Sequence, residues 1–273
     1  MEVPDSVVNK GILQVSEQAM QDIIDNIASP VEMSSLIKTI GVPFSKQYLA
    51  PTNNLSSFNT DLQQSIVLGI YGADLGYLNM YNKTGTVIDY LSNIKTLSDN
   101  LKIGQFFDFN TLKRLVSNNS NIDSIMYISV HSFNDMDKYL RKNNRGNLSS
   151  LIITGVWVEG LYILTQVQKN NPNPKLSEKI GEQKIILNDL MLILKNYIKD
   201  PDFKKIIDDI EIIKAEFANV KISYEMGDPE AVEKDGMLVI VQNEKSIVNI
   251  DDMTLTNIRN TTEKIRNKLL NNK

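Results

Sequence analysis

Apolar residues recur at helical spacing along nearly the whole chain, in runs separated by polar, Gly or Pro positions. After Asp5 and Ser6, the residues Val8, Ile12, Val15, Ala19 and Ile23 form an approximate heptad. Ser29-Pro30-Val31-Glu32 reads as a capping box with Pro at the first helical position, so a second helix starts there. Its face is Leu36, Ile37 and Ile40, and Gly41 and Pro43 end it. Residues 44–57 read as loop, and Asn59 or Thr60 caps a long helix that runs to about Tyr81. A break at Lys83-Thr84-Gly85 precedes a helix carrying Val87, Leu91, Ile94, Leu97 and Leu101 and ending at Gly104. Phe106, Phe107 and Phe109 lead to a short helix ending near Val116, and 118–121 is a polar turn. Helices are then expected over 122–142 and 148–169. Another starts at Pro174, with the stripe Leu187, Leu190, Met191, Leu194 and Ile198. A further one, capped at Asp200-Pro201, turns Phe203, Ile206, Ile207, Ile210, Ile213 and Phe217 inward.

The texture changes after Val220. Met237-Leu238-Val239-Ile240-Val241 and Ser246-Ile247-Val248-Asn249-Ile250 flank Gln242-Asn243-Glu244-Lys245, which predicts a β-hairpin turning at 242–245, with 221–225 as an additional strand. A last amphipathic helix carries Leu255, Ile258, Thr262, Ile265 and Leu269. The expected architecture is all-α: a multi-helix bundle forming one domain over residues 1–273, with an accessory β-hairpin region at 221–250. A sheet that small has too little apolar surface to stand alone.

Two of the helical runs share an unusual signature. Gly69-Ile70-Tyr71-Gly72-Ala73-Asp74-Leu75-Gly76-Tyr77 and Gly155-Val156-Trp157-Val158-Glu159-Gly160-Leu161-Tyr162 each combine small residues, aromatics and one acid in an apolar setting. Aligning Gly69 with Gly155 puts Tyr71 on Trp157 and Leu75 on Leu161, with the acids one residue out of step. Each run is followed by a turn and another amphipathic helix. A duplicated helical hairpin is therefore expected, with chance similarity of two apolar helices as the alternative. The Gly69, Gly72, Ala73 and Gly76 ridge allows close approach of a neighbouring helix or, alternatively, opens a pocket beside Tyr71, Asp74 and Tyr77. An unpaired buried charge is costly, so Asp74 and Glu159 need partners. The choices are ligand binding, an acid pair for catalysis, or hydrogen bonds from tyrosines, backbone N–H groups or a basic side chain at a helix crossing. The segment Leu148 to Val167 around the second run is long enough to span a bilayer, but its central acid, Glu159, reads better as part of a helix buried in a bundle.

Composition narrows the chemistry. A net charge of −4 with interspersed Lys and Arg argues against a nucleic-acid partner. The basic excess from Arg259 to Lys268 reads as a solvated helix face. With no cysteine, thiolate metal sites and Cys nucleophiles are out; with one histidine, His131, so are multi-His sites. His131 reads as a surface residue paired with Asp135. No nucleophile elbow, phosphate-cradling loop, dinucleotide fingerprint or di-iron motif is present. No catalytic residue, cofactor or metal is therefore assigned. The speculative ligand-binding set is Tyr71, Asp74, Tyr77, Trp157, Glu159 and Tyr162. The opening Met1-Glu2-Val3-Pro4-Asp5-Ser6 reads as neither basic nor apolar enough for a signal peptide, which fits equally a native start or a leader already removed.

Taken together from about Ser29 onward, the two marked runs resemble a group of uncharacterised exported helical proteins of anaerobic gut-type bacteria, many of them lipoprotein-like. The resemblance implies an extracytoplasmic setting, with the leader and any lipidated Cys missing from this sequence, and it brings no activity and no site residues. The cytoplasm is the alternative compartment. The expected function is a non-enzymatic, envelope-associated binding or sensing module for a small molecule. The alternatives are a structural or protein-interaction bundle and, further off, an enzyme using Asp74 and Glu159.

Overall fold

The computed structural model describes residues 36–112, 122–234 and 237–271. The expected helix from Val8, the start at Ser29–Glu32 and the polar turn at 118–121 lie outside them. The helices are α1 (Asp61–Met80), α2 (Thr84–Asn100), α3 (Ile122–Lys142), α4 (Gly146–Asn170), α5 (Pro174–Lys195), α6 (Pro201–Glu216) and α7 (Asp252–Asn271). The strands β1 (Lys221–Lys234) and β2 (Met237–Asn249) lie between α6 and α7. The starts follow from local chemistry. Thr60 and Gln63 form a reciprocal capping box at α1, and Asn173 and Asp200 cap α5 and α6 just ahead of Pro174 and Pro201.

The core is organised around α1 and α4. Every residue of α4 from Leu148 to Val167 is buried. Among the described residues it is the one helix long and apolar enough to cross a bilayer, and that apolar stretch is enclosed by the rest of the fold. The two helices run parallel. At one end Arg145 lies 4.0 Å from Asp61. At the other, Asn170 bonds the Tyr48 hydroxyl, and Tyr48 meets Tyr77 edge-on.

Glycines set their separation. A Cβ on Gly69 would stand 1.9 Å from the Ile152 carbonyl oxygen, and one on Gly155 would stand 2.1 Å from that of Ile66. The contact is reciprocal: one sequence offset relates Gly69 to Gly155, Ile66 to Ile152 and Ile70 to Val156. Helix α2 packs on α1 and α5 on α4. Helices α1 and α2 thus form one hairpin and α4 and α5 another, and the two meet through their first helices.

The sheet differs in detail from expectation. It is one antiparallel hairpin with Lys221 opposite Asn249 and Lys234 opposite Met237. The anticipated turn at 242–245 lies inside β2, where Gln242 pairs with Pro229 and Lys245 with Glu225. Between Lys234 and Met237 the sequence reads Asp-Gly, a pair that hairpin reversals favour, and those two residues lie outside the described ones. The base of the hairpin sits on α5, where Val248 fills the space left by Gly181 and the Lys184 ammonium bonds the Val220 carbonyl at 2.6 Å. Helix α5 also stops short of Ile198, which is exposed rather than on the inward stripe.

A sealed acid pair at the α1–α4 seam

Because α1 and α4 run parallel in near-matching register, the two acids that are one step out in sequence meet in space. Both Asp74 and Glu159 are fully buried. Glu159 is held by Arg266 of α7 through a two-pronged pair. Nε donates to Oε2 at 2.8 Å and Nη2 to Oε1 at 2.7 Å, the planar fork that matches a carboxylate. The Arg266 guanidinium lies over the Tyr162 ring, 4.3 Å from its centroid. Burial pulls the guanidinium toward deprotonation, but Glu159 and then Asp74 outweigh this and hold it above its ordinary range.

Asp74 has a different environment. Its Oδ2 accepts the Ala50 backbone N–H at 3.0 Å, while Oδ1 meets no donor. The carboxylate that acts on it most strongly is that of Glu159. Burial first and Glu159 second push the Asp74 carboxyl well above its ordinary value, and the opposing pulls of Arg266 and the Ala50 N–H do not reverse this.

Tyrosines close the cluster from the outside. The Tyr71 hydroxyl donates to the Pro51 carbonyl at 2.9 Å, and Tyr90 of α2 donates to the Ala50 carbonyl. Burial, with Asp74 adding to it, pushes Tyr71 up to about 12. Burial likewise raises Tyr90, with Asp74 and Glu159 reinforcing it. Asn93 reaches the Thr52 carbonyl at 2.8 Å. Further along the same loop, Tyr77 accepts the Ser45 N–H at 3.0 Å and Tyr81 donates to the Val42 carbonyl at 2.6 Å. The segment 42–52 is pinned to α1 and α2 at each of these points, and it roofs Asp74.

Of the six residues singled out in sequence, Tyr71, Asp74, Glu159 and Tyr162 come together. Tyr77 belongs instead to an aromatic group with Phe44, Tyr48 and Tyr81. Trp157 points to α5, where its indole N–H bonds Gln183 at 3.1 Å. Sequence reasoning missed Arg266 and Tyr90. The Arg259–Lys268 stretch is not wholly a solvated face: Arg266 is buried, four positions after buried Thr262 on the inward side of α7. The need of two buried acids for a cation was the signal that pointed to it. No known protein family, curated protein or solved structure matches this chain.

Open space lies elsewhere. A cleft of about 700 Å³ runs between the α4–α5 turn (Gln168, Pro172, Asn173, Pro174), the start of α5 (Ser177, Glu178) and residues 246–250. A second of about 430 Å³ lies between α1, α6 and α7. Neither is lined by Asp74 or Glu159. Among the described residues, no cluster of three or more metal-ligating acids or histidines is present.

Proposed function

We propose that this protein is a non-enzymatic interaction module, and that the cleft beside β2 receives an extended peptide segment of a protein partner. The observation that carries the reading is the lining of that cleft by five consecutive residues, Ser246 to Ile250. Side chains alternate between the faces of a strand. A cleft over one face touches every second residue; a cleft touching all five runs along the edge. The opposite edge of β2 is taken by β1, and among the described residues no strand pairs with the edge beside the cleft, which leaves its backbone N–H and C=O groups on offer. An extended peptide is the ligand whose chemistry fits such an edge, by strand addition. The facing wall supplies prolines for apolar contact, and its polar side chains Gln168, Asn173 and Ser177 are held in place by hydrogen bonds among themselves and to the α5 N-terminus. Glu178 is the one charged residue of the lining, which favours a neutral or basic peptide. The sealing of Asp74 and Glu159 weighs against the acid-pair enzyme, since no substrate reaches groups with no exposure.

The test is selection of binders from a displayed random-peptide library, followed by N-methylation of alternate backbone amides in a selected peptide. Strand addition predicts that methylation of one set of alternate amides abolishes binding while the other set leaves it intact. It also predicts that Ser177→Trp, which fills the cleft, weakens binding. Peptides that bind Ser177→Trp as tightly as the original protein, or tolerate methylation at every amide, contradict the reading.

A further inference from the structure

We propose that Asp74 is a buried proton-binding site: in the folded protein at neutral pH it is a neutral carboxylic acid whose Oδ1–H donates to the Glu159 carboxylate. The geometry leaves few alternatives. Asp74 Oδ2 is occupied by the Ala50 N–H, and Oδ1 meets no donor. Among the described residues, the charged and titratable groups around it are Tyr71 on its own helix, Tyr90 from α2, Glu159 and Tyr162 from α4, and Arg266 from α7, with Glu263 beyond Tyr162. The hydroxyls of Tyr71 and Tyr90 are spent on the Pro51 and Ala50 carbonyls. Arg266 is the single cation among them, and both prongs of its fork are engaged by Glu159. Ionising Asp74 as well places two negative charges against one positive in a site sealed from solvent, which is the situation in which paired carboxylates retain a proton between them. A proton on Oδ1 removes the excess charge and turns the unsatisfied oxygen into a donor, with Glu159 beside it as the acceptor.

The consequence is proton uptake on folding. In the unfolded chain Asp74 titrates near 3.8; in the folded protein it holds its proton far above that. Between the two values the folded state binds one proton more than the unfolded state. Stability from this residue is therefore complete below the unfolded value and declines as pH rises toward the folded one, the folding constant falling about tenfold per pH unit in that window. The opening of the 42–52 roof, which withdraws the Ala50 N–H and admits water, is favoured in the same direction.

Denaturation of the wild type and Asp74→Asn between about pH 5 and pH 7 tests this. Asparagine keeps the shape, the acceptor for Ala50 and a donor for Glu159, but carries no titrating proton. The ratio of the wild-type folding constant to that of the variant should fall about tenfold per pH unit. Parallel profiles overturn the proposal. Infrared spectra of wild-type protein labelled with ¹³C at aspartate alone give a reading that does not depend on the variant folding. At neutral pH a carbonyl band of a protonated aspartic acid, shifted by the label, is expected, and its absence overturns the proposal.

Discussion

Gly69→Ala probes the seam on which the acid pair depends. The added methyl carbon would sit 1.9 Å from the Ile152 carbonyl oxygen, whereas an ordinary contact begins near 3.4 Å, so α1 and α4 must separate by about 1.5 Å locally. The obstacle is backbone, which cannot swing aside as a side chain does. Overpacking of this kind costs about 1–3 kcal/mol and occasionally more, and alanine returns about 1 kcal/mol through its better helix propensity. The same displacement draws Asp74 away from Glu159 and loosens the proposed hydrogen bond between them, worth about 1 kcal/mol. A net destabilisation of about 1–3 kcal/mol is expected, with Gly155→Ala behaving alike because the contact is reciprocal. Gly76→Ala is the control: nothing lies within 4 Å of its added carbon, so propensity alone acts and stabilisation of up to about 1 kcal/mol follows. Urea denaturation of the three variants reads this directly. If Gly69→Ala proves as stable as Gly76→Ala, close packing of α1 on α4 is not what holds the seam.

Tyr90→Phe removes the hydroxyl bonded to the Ala50 carbonyl and should cost about 1–2 kcal/mol by denaturation, with faster proteolysis within 42–54. Thr60→Ala deletes the side-chain half of the capping box and should cost about 1 kcal/mol, with Thr60→Ser close to wild type. Gly181→Ala drives a methyl into Val248, whose Cγ1 would lie 2.2 Å away. Unlike the Gly69 case, the obstacle is a side chain, so the loss should stay near the low end of about 1–3 kcal/mol, read by denaturation, with peptide binding altered because Val248 borders the cleft.

The helical body was legible because its signals are local. The period of Leu187, Leu190, Met191 and Leu194, and the caps at Thr60, Asn173 and Asp200, state where helices run without reference to anything distant. The paired glycine signature went further and disclosed a tertiary contact, since Gly69 and Gly155 make sense only against another backbone. The hairpin turn was misplaced because apolar runs on both sides of 242–245 outweighed a short Asp-Gly signal in the apolar pattern. Arg266 was hidden for another reason. A cation inside a basic stretch looks solvated until the acids it serves are located, and those lie far away in sequence. Trp157 and Tyr77 resemble the site residues in sequence context but face different neighbours. A helix turns residues two positions apart, such as Trp157 and Glu159, to different sides, while Tyr77, one turn beyond Asp74, meets Phe44 and Tyr48 instead; periodicity alone does not name what each position meets.

The claim that the acids serve the fold rather than a ligand is tested most directly by a double-mutant cycle between Glu159→Gln and Arg266→Met, read by denaturation. Each single change strands a buried partner and should cost about 3–5 kcal/mol, while the double variant, with no stranded charge, should recover much of that loss. Peptide binding at the β2 cleft should survive in whichever variants remain folded. Additive losses with no recovery in the double variant, or variants of full stability that no longer bind peptide, would contradict the account.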